Sequence, residues 1–224
     1  MALNSRQLLI VVAAAVVVAA GALYYFVGRT DAVVIAGTDN PAAGQASRGG
    51  ALMEPGPLGE MALGDPNAPN VIIEYASMTC PHCQRFHVEV FGALKEKYVD
   101  TGQAYFILRE FPLDPLATAA IMVARCAPEE RFFPLIDLMF ENQRQWAFVP
   151  DPTSALRNLV RQAGFTQDSF QACLTNQEIL DGVNAVKDRA AKDFGVSSTP
   201  TFFVNGQLFR GEQSLEAFDS ALGG

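Results

Sequence analysis

The sequence predicts an α/β domain that contains an all-helical insertion and follows an apolar N-terminal segment. A nearly continuous apolar run at residues 71–76 has the profile of a buried strand, and an amphipathic helix and a second apolar run at residues 105–111 follow it. From about residue 112 to 192 the apolar residues recur only at helical spacing. The chain then returns to strands, which flank the hairpin dipeptide Asn205-Gly206. This order of elements predicts one sheet interrupted by a block of helices.

The composition is that of one acidic globular domain. Half of the 224 residues are hydrophobic, which is enough to bury one core after the N-terminal segment is set aside. The net charge is −8, and because the first thirty residues contain Arg6 and Arg29 but no acid, the rest of the chain carries −10. A charge of this sign argues against nucleic acid as a partner.

The first 28 residues are predicted to be a transmembrane anchor or a signal segment. Leu8 to Val27 is a run of twenty residues without a charge, long enough to cross the roughly 30 Å hydrocarbon layer as a helix. Aromatic residues at 24–26 stand where an outer interface would be, which favours an uncleaved anchor. The alternative is a signal peptide cut near residues 20–22. In both cases Arg6 stays cytoplasmic and the rest of the chain is exported.

Residues 29–61 are predicted to be a flexible linker, and residues 62–224 the folded domain. The linker is rich in Gly, Ala and Pro, and no hydrophobic period persists in it. A turn cluster at residues 64–69 then leads into the first strand, and the helix after that strand is expected to run to about Val99.

The insertion is expected to consist of successive amphipathic helices. In the second of them, Pro134 predicts a start near Phe133, with the proline in the first turn. Asp151-Pro152 predicts the start of the next helix, with Asp as the N-cap and Pro at the first position. After the hairpin, residues 213–222 are expected to form the final helix.

The chemistry is carried by the sequence C-P-H-C at residues 80–83, on the first turn of the helix after the first strand. A c-type haem site needs His directly after the second cysteine, and Gln84 occupies that place. A structural zinc site needs four ligands, of which this turn and His87 supply three. A purely structural disulfide in so small a ring contributes little loop-closure stabilisation. A redox-active dithiol is therefore the interpretation that the pattern favours.

The C-P-H-C motif after an apolar strand, together with Thr199-Pro200 before a later strand, resembles the thioredoxin-fold thiol oxidoreductases of the DsbA family. The similarity extends from about Val71 to the C-terminus and includes the helical insertion. It implies a thioredoxin-like fold and thiol–disulfide exchange, and this dipeptide between the cysteines is associated with oxidising members.

Cys80 is the candidate nucleophile and Cys83 the resolving thiol. Cys80 lies at the N-terminal end of the helix, where unpaired backbone N–H groups and the helix dipole favour its thiolate. His82, which follows Pro81, is expected to donate a hydrogen bond or positive charge from its imidazole to the Cys80 sulfur. Stabilising the reduced thiolate would make the disulfide form a stronger oxidant.

Glu74 interrupts the apolar strand six residues before Cys80. Two interpretations are open: a solvent-facing position on an alternating strand, or a partly buried carboxylate that shuttles protons during exchange. The resemblance implies an acid here, which DsbA-family proteins often pair with a Lys on the next strand. The nearby base in this sequence is Arg109 instead. His87 is expected to be an ordinary surface histidine on the helix.

Thr199-Pro200 precedes a strand, and an X-Pro bond becomes cis where a tight turn demands it. A cis proline opposite Cys80 would remove a backbone donor beside the sulfurs. It would also leave the carbonyl and N–H of Thr199 free to pair with an extended substrate peptide. The resemblance further implies that this proline denies metals access to the dithiol.

Cys126 and Cys173 are expected to form a structural disulfide between two helices of the insertion. Both lie on apolar stripes, the number of cysteines is even, and the exported compartment is oxidising. The alternative is a pair of buried free thiols.

Two functional classes fit these residues. One is an exported oxidoreductase without a cofactor or metal, which introduces disulfide bonds into unfolded proteins or, as its near relative, reduces or isomerises them. It would work in the bacterial periplasm, anchored to the inner membrane or soluble after cleavage, with a DsbB-like membrane protein as a suspected redox partner. The other is a metallochaperone that holds Cu(I) through Cys80 and Cys83. Such proteins favour nearby Met and His, and Met78 alone is present.

Overall fold

The structure, a computed structural model, describes residues 50–223. The predicted anchor at residues 1–28 and most of the predicted linker lie outside the described residues. Between residues 50 and 223, no helix combines the length and the apolar character that crossing a membrane requires.

Strands and helices follow one another in the predicted order, except that the strand at Met61–Leu63 and the short helix at Gln143–Trp146 were not predicted. The strands are β1 (Met61–Leu63), β2 (Asn70–Ala76), β3 (Ala104–Glu110), β4 (Thr201–Val204) and β5 (Gln207–Arg210). The helices are α1 (81–99), α2 (Pro115–Arg125), α3 (Glu129–Glu141), α4 (Gln143–Trp146), α5 (Pro152–Val160), α6 (Gln167–Leu174), α7 (Gln177–Asp193) and α8 (Leu215–Leu222). Helix α1 is one helical run in which α-helical turns alternate with π-helical turns: Pro81–Arg85, Phe86–Phe91, Gly92–Leu94 and Lys95–Val99.

The strands of the described chain form one sheet in the order β1-β3-β2-β4-β5. Strands β2 and β3 are parallel, as expected for two strands joined by a helix, and the other neighbours are antiparallel. The α/β fold with a helical insertion between β3 and β4 is therefore confirmed. Strand β2 is the central strand, and the turn after it carries the C-P-H-C motif.

Two hydrophobic clusters cover the two faces of the sheet. Because side chains alternate along a strand, Ile72 of β2 faces the cluster that contains α1, while Ile73 faces the cluster that contains Val186 of α7. The first cluster is rich in aromatic rings, and the centroids of Phe86 and Phe202 lie 4.7 Å apart. Helix α1 is thus fixed on the sheet by its apolar face, with its first turn at the edge of the core.

The hairpin between β4 and β5 forms as predicted. Asn205 and Gly206 both have positive φ, 50° and 81°, and Val204 pairs with Gln207 across the turn. Two consecutive residues with positive φ give the turn the twist of the flanking strands, and Asn-Gly accepts that conformation at low cost.

Helix α3 begins earlier than expected. Pro134 lies inside the helix, which starts at Glu129, and the predicted start near Phe133 is wrong. An interior proline costs one backbone hydrogen bond and about 3 kcal/mol. The side chains of Phe132 and Phe133 are buried in the first two turns, and burying two such rings offsets a cost of this size.

Residues 50–60, which the sequence assigned to the linker, pack against the domain. Leu52 is buried, Arg189 of α7 binds the Glu54 carboxylate at 3.2 Å, and Arg109 of β3 binds Glu60 at 2.6 Å. A Gly- and Pro-rich composition does not reveal such ion pairs, because their partners lie far away in the sequence.

Candidate active site

The dithiol occupies the first turn of α1. Cys80 is the N-cap residue, with φ −76° and ψ 121°, and Pro81 stands at the first helical position, where a missing N–H costs nothing. Both thiols are free, and both residues are buried, with Cys80 6% exposed and Cys83 fully enclosed. Cys80 is thus the sulfur that faces the surface, and Cys83 lies behind it.

The environment of Cys80 favours its thiolate. The hydrogen bond from the Cys83 thiol is the largest cause, and it outweighs burial, so that the pKa of Cys80 is lowered to about 5. Thr199 and the backbone N–H groups of Cys83 and His82 lower the pKa further. Cys80 is therefore a thiolate at neutral pH when the dithiol is reduced.

Cys83 has the opposite character. Burial, the hydrogen bond to Cys80 and the charge of Glu74 raise the pKa of Cys83 well above its usual value. The proton thus stays on the Cys83 sulfur, and its hydrogen bond stabilises the negative charge on the Cys80 sulfur. In such an asymmetric pair, Cys80 has the properties of a nucleophile and leaving group, whereas Cys83 stays protonated.

The loop before β4 lies against Cys80. The Thr199-Pro200 peptide bond is cis, as the sequence predicted, and the Cys80 Sγ lies 3.3 Å from the carbonyl oxygen of Thr199. The Pro200 carbonyl accepts a hydrogen bond from the N–H of Gly211, which fixes the loop to the chain after β5.

The imidazole of His82 does not act on Cys80 as expected. Its ring is 60% exposed, its Nδ1 lies 3.3 Å from Glu212 Oε2, and Arg85 Nη2 lies 2.6 Å from the same nitrogen. Because a guanidinium can only donate, Nδ1 accepts from Arg85, which also donates to Glu212, so Arg85 links the ring to this carboxylate. His82 lowers the pKa of Cys80 through its backbone N–H instead, a contribution that does not depend on the side chain.

Glu74 is fully buried, so the solvent-facing interpretation is wrong. Its partner is His87, whose Nε2 lies 2.9 Å from Glu74 Oε2. Arg109 cannot reach it, because the register pairs Arg109 with Tyr75, whose side chain points to the other face of the sheet. Arg109 instead donates to the Tyr75 hydroxyl at 2.9 Å and to Glu60.

His87 is not a surface histidine. Its side chain is 1% exposed, and its ring stacks on Phe140 of α3 with the centroids 4.4 Å apart. Burial opposes its protonation, but the Glu74 carboxylate and Asp137 raise the pKa of His87 to about 9. The spacing carried a signal for this position: His87 follows Cys83 by four residues, one helical turn, and precedes the buried Phe91 by four.

Gln143 is a further residue of the site that sequence reasoning missed. It lies in α4, inside the insertion, and its buried Nε2 donates to the carbonyl oxygens of Met78 at 2.9 Å and Cys80 at 3.0 Å. The hydroxyl of Thr79 also binds Asp114, the N-cap of α2. The insertion therefore fixes the turn that carries the dithiol through hydrogen bonds from Gln143 and Asp114, which no local sequence signal identifies.

The other two cysteines lie in the insertion. The sulfurs of Cys126, at the end of α2, and Cys173, in α6, are bonded, with their Cα atoms 5.8 Å apart. In the part of the chain that the structure describes, no group of three or more His, Cys, Asp or Glu side chains is placed to hold a metal ion.

The chain resembles known proteins over most of its length. A family model described as thioredoxin matches residues 58–223. The crystal structure of Wolbachia pipientis alpha-DsbA1 is 33% identical and has a TM-score of 0.71, with 77% of this chain and 93% of that chain covered. A protein-disulfide isomerase from Novosphingobium aromaticivorans is 27% identical, with a TM-score of 0.64 and 72% and 94% coverage.

Among the curated proteins, one from Rickettsia typhi that is named as a protein-disulfide oxidoreductase is 31% identical over 148 residues. The match covers 66% of this chain and 55% of that protein, so the chain spans about half the length of this relative.

Proposed function

Because the chain belongs to the DsbA family of thioredoxin-fold disulfide oxidoreductases, we propose that it introduces disulfide bonds into other proteins by exchange at Cys80 and Cys83. A substrate thiolate attacks Cys80 of the oxidised enzyme, a mixed disulfide forms, and Cys83 leaves and takes up a proton. A second substrate thiolate then attacks the substrate sulfur of the mixed disulfide, and Cys80 leaves as a thiolate. Two electrons and one proton stay on the enzyme, and the substrate gains its disulfide.

The position of the Cys80 sulfur carries the proposal. It lies at the N-cap of α1, accepts a hydrogen bond from Cys83 and rests against the cis-proline loop, and its pKa is lowered to about 5. A thiolate of low basicity is a good leaving group, so the mixed disulfide resolves towards oxidised substrate and reduced enzyme. The direction of net transfer thus follows from the stability of one anion.

Glu74 is proposed to handle the proton of Cys83. Its carboxylate is close enough to Cys83 for its charge to raise the pKa of that thiol. Its Oε2 is bound by His87, and its Oε1 has no hydrogen-bond partner within residues 50–223. A carboxylate with one free oxygen beside a buried thiol is suited to accept and return a proton.

The loop at Thr199 is proposed to bind the substrate backbone. In the part of the chain that the structure describes, the N–H of Thr199 donates to no acceptor, and the following Pro200 has no N–H. An extended peptide that pairs with the main chain at Thr199 would bring its cysteine to Cys80. Unfolded or reduced proteins are the substrates that present such a segment.

The chain is further proposed to act outside the cytoplasm of a bacterium, in the periplasm. The apolar run from Leu8 to Val27 supports attachment to the inner membrane, and removal of the run as a signal peptide is the alternative. The Cys126–Cys173 bond supports an oxidising compartment. There a DsbB-like membrane protein would take the two electrons from the reduced dithiol.

Equilibration with glutathione tests the direction of transfer. We expect a potential near that of the oxidising thioredoxin-fold enzymes, about −120 mV, and rapid oxidation of a reduced, unfolded two-cysteine peptide. A Cys80→Ser variant, which retains Cys83, is the matched control and should be inactive. A couple as reducing as thioredoxin, about −270 mV, would contradict the oxidase proposal and point to a reductase or isomerase.

A further inference from the structure

The buried thiol Cys83 must lose or gain a proton at a stage of the exchange when its hydrogen bond to Cys80 is absent. In the resting dithiol, Cys83 shares a hydrogen bond with Cys80, which is the sulfur nearer to the surface. In the mixed disulfide, the Cys80 sulfur is bonded to the substrate sulfur and can no longer accept that proton. The substrate also covers the mouth of the site. A second route, on the inner side of the dithiol, is therefore needed.

Glu74 alone cannot supply that route. Its side chain is fully buried, so a proton that it accepts from Cys83 has no direct access to water. The group that contacts it is His87, whose Nε2 lies 2.9 Å from Glu74 Oε2. The imidazole has a second nitrogen, and the protonated ring can release the proton on that nitrogen while Nε2 stays bound to Glu74.

The second nitrogen of His87 is buried and faces Asp137, a half-exposed acid. Its Nδ1 has no hydrogen-bond partner among residues 50–223, and the nearest acid is Asp137 of α3, whose Oδ1 lies 3.9 Å away. The Asp137 side chain is 47% exposed, whereas that of His87 is 1% exposed. The distance is that of an ion pair rather than a direct hydrogen bond, so a small rotation of Asp137 or one water molecule completes the contact.

The packing holds the ring in this orientation. Phe140 stacks on the imidazole with the centroids 4.4 Å apart, and the centroid of Phe91 lies 4.8 Å from that of the imidazole, so aromatic rings pack against the ring. The charged groups that face the ring are Glu74 from β2 and Asp137 from α3. The two side-chain atoms of this cluster that lack partners, Glu74 Oε1 and His87 Nδ1, are the two at which a proton would enter and leave.

We infer that His87 is a proton-relay residue that connects Cys83 and Glu74 with solvent through Asp137. The inference rests on the proposed exchange function and extends it to two residues that have no part in the dithiol motif. When Cys83 attacks the mixed disulfide, its S–H bond breaks and the proton passes to Glu74. The Cys80–Cys83 bond forms, and the bound thiolate leaves. The protonated His87 then releases the proton on its Nδ1 to water through Asp137, so one proton leaves for each proton that Cys83 loses, and the Glu74–His87 pair keeps its net charge. In the opposite direction Glu74 protonates the leaving Cys83, and His87 takes up a proton from water.

Rapid mixing of the reduced protein with oxidised glutathione tests the relay, because the two chemical steps can be followed separately by acid quench and mass spectrometry. In the first step the Cys80 thiolate forms the mixed disulfide, which needs no proton from Cys83. In the second step Cys83 loses its proton and releases glutathione. We expect Asp137→Asn and His87→Phe to slow the second step about tenfold or more and to leave the first unchanged.

Two controls separate a relay from a structural role. Glu130→Gln removes an exposed acid from the same helix as Asp137 and should change neither step. Added imidazole buffer should restore the second step in Asp137→Asn, where the gap is at the surface, but not in His87→Phe, where it is buried. Since His87→Phe leaves Glu74 without its partner and can impair folding, Asp137→Asn is the deciding variant.

Equal second-step rates in Asp137→Asn and Glu130→Gln would overturn the relay, and so would the absence of imidazole rescue in Asp137→Asn. Both results leave the exchange function of the wild type intact. Failure of the proposed function itself is distinguishable, because the wild-type protein would then form no mixed disulfide or show a reducing potential.

Discussion

Lowering the pH should destabilise the domain much more when the Cys80–Cys83 couple is reduced than when it is oxidised. In the reduced form the pKa of Cys80 is about 5, whereas an unfolded cysteine keeps its ordinary pKa of 9.0. A group whose pKa is lowered by folding stabilises the folded state above that pKa, and the contribution is lost as the pH falls through it. In the oxidised form Cys80 does not titrate, so this contribution is absent.

The magnitude follows from the interval between the pKa of folded Cys80, about 5, and pH 7. At pH 7 the folded thiolate is ionised and the unfolded thiol is not, so two pH units at 1.36 kcal/mol each give about 2.7 kcal/mol of stability. This amount should disappear between pH 7 and about pH 4. The same free energy makes the couple about 60 mV more oxidising at pH 7 than it would be with an ordinary cysteine, since 30 mV corresponds to about 1.4 kcal/mol.

Urea unfolding measures the difference, with the fluorescence of Trp146, which is buried, as the probe. The free energy of unfolding is determined for the reduced and the oxidised couple at each pH, with the Cys126–Cys173 bond intact in both. Carboxylates that titrate in both forms cancel in the difference. The reduced Cys80→Ser variant should lack the effect. If the difference between the two forms stays constant from pH 7 to pH 4, the lowered pKa and the account of the oxidising power are both refuted.

Three other variants test contacts of the site and the disulfide of the insertion. His82→Ala should leave the pKa of Cys80 close to 5, because the backbone N–H of residue 82 remains. Iodoacetamide alkylation against pH measures this pKa. A rise to the pKa of a free thiol would show that the imidazole stabilises the thiolate, as the sequence suggested. Gln143→Leu should lower the free energy of unfolding in urea by about 1 to 3 kcal/mol. The substitution removes the donor of the buried Met78 carbonyl and one of the two donors of the Cys80 carbonyl, which also accepts from the N–H of Gln84. Equal stability would mean that other donors replace Gln143. Replacing Cys126 and Cys173 with Ser should lower the free energy of unfolding by about 4 kcal/mol, as expected for a disulfide between residues 47 apart, and should leave the alkylation of Cys80 unchanged. A loss below about 1 kcal/mol would contradict the chain-entropy estimate.

The sequence by itself determined the features that depend on neighbouring residues. The apolar run of β2 and the Asn205-Gly206 turn fix two elements, because strand burial and turn conformation are local properties. The start of α1 is local as well, and the hydrophobic pattern alone was enough to place Cys80 at a helix N-terminus. These features decide the fold class and the choice of Cys80 as nucleophile.

The sequence was less informative where competing local signals had to be weighed against packing. Pro134 is a strong helix-start signal, yet α3 begins five residues earlier because buried aromatic rings outweigh one lost hydrogen bond. His82 lies two residues after the nucleophile, yet its ring is bound by Arg85, which Glu212 from the far end of the chain holds in place. In both cases the deciding interaction is tertiary.

Only the tertiary structure decided the partners of the buried charges. Whether Glu74 faces water or the core depends on which side of β2 is covered by α1. Its partner, His87, lies in the same helix and meets Glu74 only because α1 packs back over β2. The register of β2 and β3 sends Arg109 to the opposite face. A buried carboxylate needs a partner from whichever element packs against it, and packing between distant segments has no local signature in the sequence. For this reason the dithiol could be predicted from its motif, and the His87 contact that serves it could not.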